Sequence, residues 1–419
     1  MMIQKMKFGR LMQLGLIAGS LAFATTAPAS DSDKAVGMHA SKYEAYVDWL
    51  GSLDTSPEPY ADSIQALRDL IDSDPGIRIN MNRMIEQVPE AYRPARDVDE
   101  LLGIMNGIID KAPEYGAPSH FPMSALFVQM MYTPAGEYLL TNRELNVALK
   151  GVLDEWKAFL DSPDSVYVIN REDGWLTPES YKENDLDSFI IPDADDPHGG
   201  FESFNAFFHK RIKPELRPVA APGDDSVVVL PSDGTLYKIE PNAQRTARYW
   251  IKSEPYSLEA MLDGSSYTDD FVGGTIVQTF LSGNNYHRFN SPVSGEVVEA
   301  RVIDGFMFSE LRVLGFDGDA GIKSQGYDAS VNTRGLVIIK ADDAAIGHVA
   351  FSPIGITEIS SITLGVEVGD RVEKGDELGF FSYGGSTVTT LFEPDAVELD
   401  SSIKEKAKVE ANARFAKAR

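Results

Sequence analysis

Two hydrophobic periodicities divide the chain. Up to about Asp187, apolar residues recur at helical spacing. Ile64, Leu67, Leu70 and Ile71 form a stripe behind Ser63, which predicts a helix capped at Ser63 and ended by Asp74-Pro75-Gly76. A second stripe runs from Asp97 through Leu101, Leu102, Met105, Ile108 and Ile109. A third opens with the capping box Thr141-Asn142-Arg143-Glu144, continues through Leu145, Leu149, Val152, Trp156 and Phe159, and stops before Pro163. Such stripes bury a core and carry no evident chemistry. Phe201, Phe204, Phe207, Phe208 and Ile212 also fall on one helical face; a helix lying on a membrane has this pattern, but packing against the domain that follows is the better reading.

Beyond Pro218 the pattern changes to strands. Val227–Leu230, Thr275–Leu281, Val297–Val302, Leu336–Ile339 and His348–Phe351 are short apolar or alternating runs bounded by Gly, Pro, Asn or Asp. Val368–Phe381 alternates apolar residues with Gly-Asp and Lys-Gly turns, and Val388–Phe392 reads as a further strand. Between them, Tyr383-Gly384-Gly385-Ser386-Thr387 places a serine on a tight turn. The fold class expected is α+β: a helical N-terminal domain over 37–187, an acidic irregular linker, an antiparallel β-rich domain over 200–398, and a C-terminal helical tail over 399–419 with Lys404–Lys408 exposed. Asp193, Asp195 and Asp196 in the linker lack the spacing of a calcium loop.

Composition narrows the function. A formal charge of −26 argues against nucleic acid and against an anionic lipid surface. With no cysteine, thiol catalysis and thiolate metal sites are excluded. Lys5, Lys7 and Arg10 precede the apolar run Leu11–Ala24, and Ala27-Pro28-Ala29 supplies small residues for cleavage, so 1–29 reads as a signal peptide, with a retained anchor as the alternative. Either places the folded part outside the cytoplasm, in a periplasm or secreted. His209, in the phenylalanine-rich helix, reads as exposed, and His348 as a hydrogen-bonded core residue.

Six segments follow one another in a distinctive order: Phe204–Pro218, Pro231-Ser232-Asp233-Gly234, Ile251–Leu258, Tyr286-His287-Arg288-Phe289-Asn290-Ser291-Pro292, the Val368–Phe381 hairpin and Gly385-Ser386-Thr387. Together they resemble the phosphatidylserine decarboxylase family of pyruvoyl enzymes. The helical half, with Trp156–Ser165, and the segment Phe271–Thr275 resemble the tryptophan or aromatic amino acid decarboxylases of that superfamily. Ser291–Val298 and Val368–Phe380 also resemble the two halves of a lipoyl- or biotinyl-type barrel, without a lysine at the tip to take either group.

The resemblance implies that the chain cuts itself between Gly385 and Ser386, and that Ser386 becomes the pyruvoyl cofactor. It further implies catalytic roles for Ser386, His287 and Asp233, a self-cleavage turn of Gly384, Gly385 and Thr387, no metal, and a homodimer of cleaved protomers as in relatives. The substrate implied is a small amino acid with an aromatic side chain, decarboxylated through a Schiff base; the alternatives are phosphatidylserine, with membrane contact, and a non-catalytic exported binding protein. Asn290 stands where the family has a second histidine, and an asparagine cannot accept the Ser386 proton. Three outcomes stay open: His287 substitutes, strain in the turn drives a slow cut, or the chain does not mature.

Overall fold

The structure, a computed structural model, describes residues 48–49, 51–52, 59–117, 121–246, 256–282, 286–309, 324–358 and 361–419. The expected signal peptide, residues 37–47 and the Ile251–Pro255 part of the third segment lie outside the described residues.

The first half is helical, with its apolar stripes inward. Helix α1 (Asp62–Ser73) buries Ile64, Leu67 and Ile71. Asp74-Pro75-Gly76 both ends it and opens α2 (Pro75–Glu86): Asp74 accepts the Gly76 and Ile77 amides at 2.7 and 3.0 Å, and Pro75 takes the first-turn position where a missing N–H costs nothing. Helix α3 (Val98–Ile108) is capped by Asp97, and α4 (Pro122–Met131) and α5 (Pro134–Leu139) follow. The cap of α6 (Arg143–Leu160) is Asn142, whose Oδ1 accepts the Leu145 amide at 2.9 Å; Thr141 instead donates its hydroxyl back to the Tyr138 carbonyl. The capping box is therefore displaced by one residue. After α7 (Pro178–Glu183), the phenylalanine run contributes a single turn, α8 (Phe204–Phe208), capped by Ser203. Its phenylalanines are buried in the same apolar cluster as the helices, together with Met307, Phe308 and Tyr383 from the second half.

The second half is antiparallel. Its strands are β1 (Val227–Val229), β2 (Gly234–Pro241), β3 (Thr275–Leu281), β4 (Arg288–Asn290), β5 (Gly295–Ile303), β6 (Arg334–Ala341), β7 (His348–Ile356), β8 (Ile362–Leu364), β9 (Arg371–Val372), β10 (Glu377–Phe381), β11 (Gly385–Phe392), β12 (Val397–Leu399), β13 (Lys408–Val409) and β14 (Arg414–Ala418). The main sheet runs β13-β2-β3-β11-β7-β6-β5-β9, and two smaller sheets run β4-β10-β8 and β1-β14-β12. The two barrel-like stretches do pair, Gly295 with Val372 and Glu296 with Arg371. The main sheet nevertheless stays open, its outer strands β13 and β9 not meeting, so no closed barrel forms among the described residues.

The helical tail expected over 399–419 is overturned. Those residues hold the end of β12 and all of β13 and β14, and β14 pairs with both β1 and β12. Phe415 is buried against Phe392, with ring centroids 5.4 Å apart. The returning C terminus gives β1 a strand to pair with along its length, while the Val229 amide bonds to the Pro292 carbonyl.

Candidate active site

Strand β11 lies in the middle of the main sheet, between β3 and β7. Ser382-Tyr383-Gly384 carries the chain into it from β10. Gly384 has φ +141°, a conformation that only glycine adopts without strain. Ser386 is not on the turn itself but is the second residue of β11, paired with Leu281 on one side and Gly355 on the other. It is fully buried, and its Oγ has no hydrogen-bond partner among the described residues. A buried hydroxyl left so costs on the order of 1–3 kcal/mol, and the hydroxyls of Ser382 and Thr389 on the same stretch share that state.

Alternation along β11 separates the two residues of the motif. Val388 and Phe392, on the Ser386 side, join the cluster containing Phe289 and Phe381 of the small sheet β4-β10-β8. Thr387 faces the other way, donating to the Thr279 carbonyl at 2.9 Å and accepting from Gln278 Nε2 at 3.1 Å. Tyr256 in turn donates to Gln278 Oε1 at 2.6 Å. Thr387 thus locks the register of β11 from behind, through a buried glutamine that carries no sequence signal.

The helical half reaches the turn directly. The Tyr383 ring lies 5.4–5.5 Å from those of Phe121, Trp156, Phe204 and Phe208. Asn205 accepts the Tyr383 amide at 2.9 Å while donating to Asp161 at 2.8 Å. A polar residue in the middle of an aromatic run is the one hint the sequence offers for it. Phe208 also stacks on His287, ring centroids 4.0 Å apart, and the His287 carbonyl accepts the Phe381 amide at 2.9 Å. His287 is therefore buried beside the strand that leads into the turn.

Asn290 and Asp233 meet at a different point. Asn290 is buried and donates to Asn412 Oδ1 at 3.1 Å, while its own Oδ1 has no partner among the described residues. Both Asp233 oxygens are engaged: Arg217 donates to them at 2.9 and 2.8 Å, and the Ala411 amide to Oδ1 at 2.8 Å. Asn412 joins the two, since its Nδ2 donates to the Arg217 carbonyl at 3.0 Å. Gly234, next to Asp233, has φ +157°, and a Cβ there would fall 2.4 Å from the Phe280 carbonyl oxygen.

Two corrections concern histidines. His209 is half-buried, its ring 4.3 Å from Phe380 and Nδ1 3.2 Å from Arg288; burial, with Arg288 adding to it, pushes its pKa down to about 4. His348 is only partly buried, and Nδ1 lies 3.0 Å from Glu393 and 3.2 Å from Asp270. Those three donors could hold a metal ion, but they stand at the far end of β7 from the turn.

Sequence reading also missed Glu358. Strand β7 ends at Ile356, the register partner of Gly385, so the next two residues carry Glu358 alongside the turn. Its carboxylate is buried, accepting the Met123 amide at 2.6 Å and the Ser124 hydroxyl at 2.7 Å, both in the first turn of α4. Burial pushes its pKa up to about 7, against those hydrogen bonds, and burial likewise holds the Tyr383 hydroxyl well above its usual value, with Glu358 adding to the shift.

The family model described as phosphatidylserine decarboxylase matches residues 204–417, the whole strand region with α8, and a second model of that description matches 61–184. The chain belongs to the phosphatidylserine decarboxylase family. It is a decarboxylase, a carboxy-lyase, and stands near the tryptophan decarboxylase branch. It is 36% identical over 299 residues to Decarboxylase iboD of Amanita muscaria, covering 67% of this chain and 85% of that protein. It is 29% identical over 408 residues to L-tryptophan decarboxylase of Psilocybe cubensis, covering 90% of this chain and 92% of that one. Phosphatidylserine decarboxylase proenzyme 3 of Schizosaccharomyces pombe is 34% identical over 216 residues, 52% of this chain and 21% of its own length.

Proposed function

We propose that this decarboxylase is pyruvoyl-dependent, cuts itself between Gly385 and Ser386, and acts outside the cytoplasm on a free aromatic L-amino acid such as tryptophan. The observation that carries the reading is the buried, unpartnered Ser386 hydroxyl two residues after a glycine at φ +141°. The surroundings of Ser386 fit a small carbonyl group: the position is fully buried and no side chain among the described residues holds its Oγ.

In the cut, the Ser386 Oγ attacks the Gly385 carbonyl carbon, the peptide C–N bond breaks, and the Oγ proton passes to the released Ser386 amine. Loss of the Ser386 α-proton then expels Gly385 as a carboxylate, and water removes the nitrogen as ammonia. The resulting carbonyl supplies a site for the substrate amine and a sink for the electrons that remain when carbon dioxide leaves. The protein's own part is positional. Gly384 permits the turn, Thr387 fixes the register of β11, Phe208 keeps His287 desolvated, and His287 stands in for the base that Asn290 cannot provide.

The aromatic substrate is supported by the similarity to L-tryptophan decarboxylase, which spans the helical half as well as the strands. A lipid substrate is the second reading, favoured by the match of the strand region to phosphatidylserine decarboxylases. Intact mass of the purified protein under denaturing conditions, with Ser386→Ala alongside, tests the cofactor: two fragments split before Ser386, the smaller with a pyruvoyl mass, and neither in the variant. Carbon dioxide release from tryptophan but not from phosphatidylserine vesicles supports the amino acid; the reverse result supports the lipid and overturns the amino acid.

A further inference from the structure

Glu358 is a buried carboxyl for which the reaction above has no use, and its surroundings tie it to the turn. Extending the β7–β11 register past Ile356 and Gly385 sets Glu358 across from Tyr383. Its oxygens hold the Met123 amide and the Ser124 hydroxyl, while Thr357, its neighbour, is hydrogen-bonded to the same Ser124 hydroxyl. The residue before that helical turn is Phe121, the N-cap of α4, and it stacks on Tyr383 at 5.5 Å with an interplanar angle of 19°. Glu358, the first turn of α4, Phe121 and Tyr383 thus follow one another, and the Glu358 charge acts back on the Tyr383 hydroxyl. Thr357 itself sits at φ +57°, a left-handed conformation that a β-branched residue adopts only when its neighbours impose it. The helix N-terminus partly offsets the cost of burying a carboxylate there.

Resting on the self-cleavage reading, we propose that Glu358 is a positioning residue for maturation, through which the helical half holds Ser382-Tyr383-Gly384 in the geometry that presents Gly385 to Ser386. It acts through α4 and Tyr383 rather than by touching the reacting atoms. The groups facing it are the Met123 amide and Ser124 from α4, Thr357 beside it, and Tyr383 from the turn, which is held neutral; its own carboxyl is therefore the group of this set that titrates near neutrality. When ionised, both oxygens accept; when protonated, one must donate, and the grip on α4 weakens.

The test is the time course of cutting, by intact mass, for freshly purified full-length wild type, Glu358→Gln, Glu358→Ala and Ser124→Ala between pH 6 and pH 8, with Ser386→Ala as the uncut reference. Glu358→Ala is expected to slow the cut by about tenfold, equivalent to 1.4 kcal/mol, with the folded far-ultraviolet spectrum retained. The ratio of wild-type to Glu358→Gln rates is expected to rise at least about threefold across this pH range, a change that a purely structural role would not produce. Wild-type cutting with unchanged rates and pH profiles in all three variants overturns the role of Glu358 alone. If Glu358→Ala fails to fold, Glu358→Gln and Ser124→Ala decide by the same ratio. A wild type that never cuts overturns the self-cleavage reading and this role with it.

Discussion

The backbone angle at Gly384 is the feature of the β10–β11 connection on which the proposed self-cleavage depends. At φ +141° glycine is unstrained, whereas any residue with a Cβ is strained. Gly384→Ala should relax the turn to escape a strain of about 1–3 kcal/mol, which moves Ser386 away from the Gly385 carbonyl, so self-cleavage should slow by at least about tenfold. Intact mass against time reads this directly, and an unchanged rate would remove strain from the account. Asp233 is a different case. Its oxygens hold Arg217 and the Ala411 amide, so Asp233→Asn removes the nearer and more buried of the two carboxylates that pair with this largely buried guanidinium, leaving the exposed Glu410 at 3.7 Å. In the uncut Ser386→Ala background, where cleavage cannot confuse the reading, urea unfolding should show a loss of about 2 kcal/mol. That Asp233 stands at the family's aspartate position was legible from its motif; its anchoring of the C-terminal residues was not, because Ala411 lies 178 residues away in sequence.

Among the elements, those with local causes were readable in the chain and those with distant causes were not. The stripes of α1, α3 and α6 and the strand β3 stand where their periodicity puts them. The displaced cap of α6 is a contest between neighbours, in which Asn142 reaches the Leu145 amide and Thr141 is drawn back to the preceding turn. The C-terminal strands fail to announce themselves for another reason. β13 has two residues and β14 five, and their partners β2 and β1 lie far upstream, so a run of lysines dominated the local pattern. An exposed helical tail would be dispensable. Strands that cover β1 and extend β2 are not, and a stop codon at Ser401 should abolish soluble expression, read as the soluble fraction on a gel; normal yield would show that β1 tolerates a bare edge.

Across the whole molecule, the helical half, joined to the strands through Tyr383, Asn205 and Glu358, behaves as part of the site rather than an appendage. Glu358 makes that junction sensitive to pH. Its carboxyl ordinarily titrates near 4.5 and in the folded protein near 7, so the native state favours its protonated form. The stabilisation this gives is complete below about pH 4.5, declines as pH rises between the two values, and is gone above about pH 7. A shift of that size corresponds to something on the order of 3 kcal/mol. Other carboxylates pull the opposite way as pH falls, and the net charge of −26 adds its own repulsion, so the absolute curve is no guide. The difference between two proteins is. In the Ser386→Ala background, Glu358→Gln keeps the shape of the side chain without its charge, and its stability relative to Glu358 should increase steadily from pH 5 to pH 7.5. Urea unfolding at a series of pH values measures that difference. A flat difference would mean that the carboxyl is solvated in the folded protein, and the helical half would then be held to the reactive turn by its aromatic contacts alone.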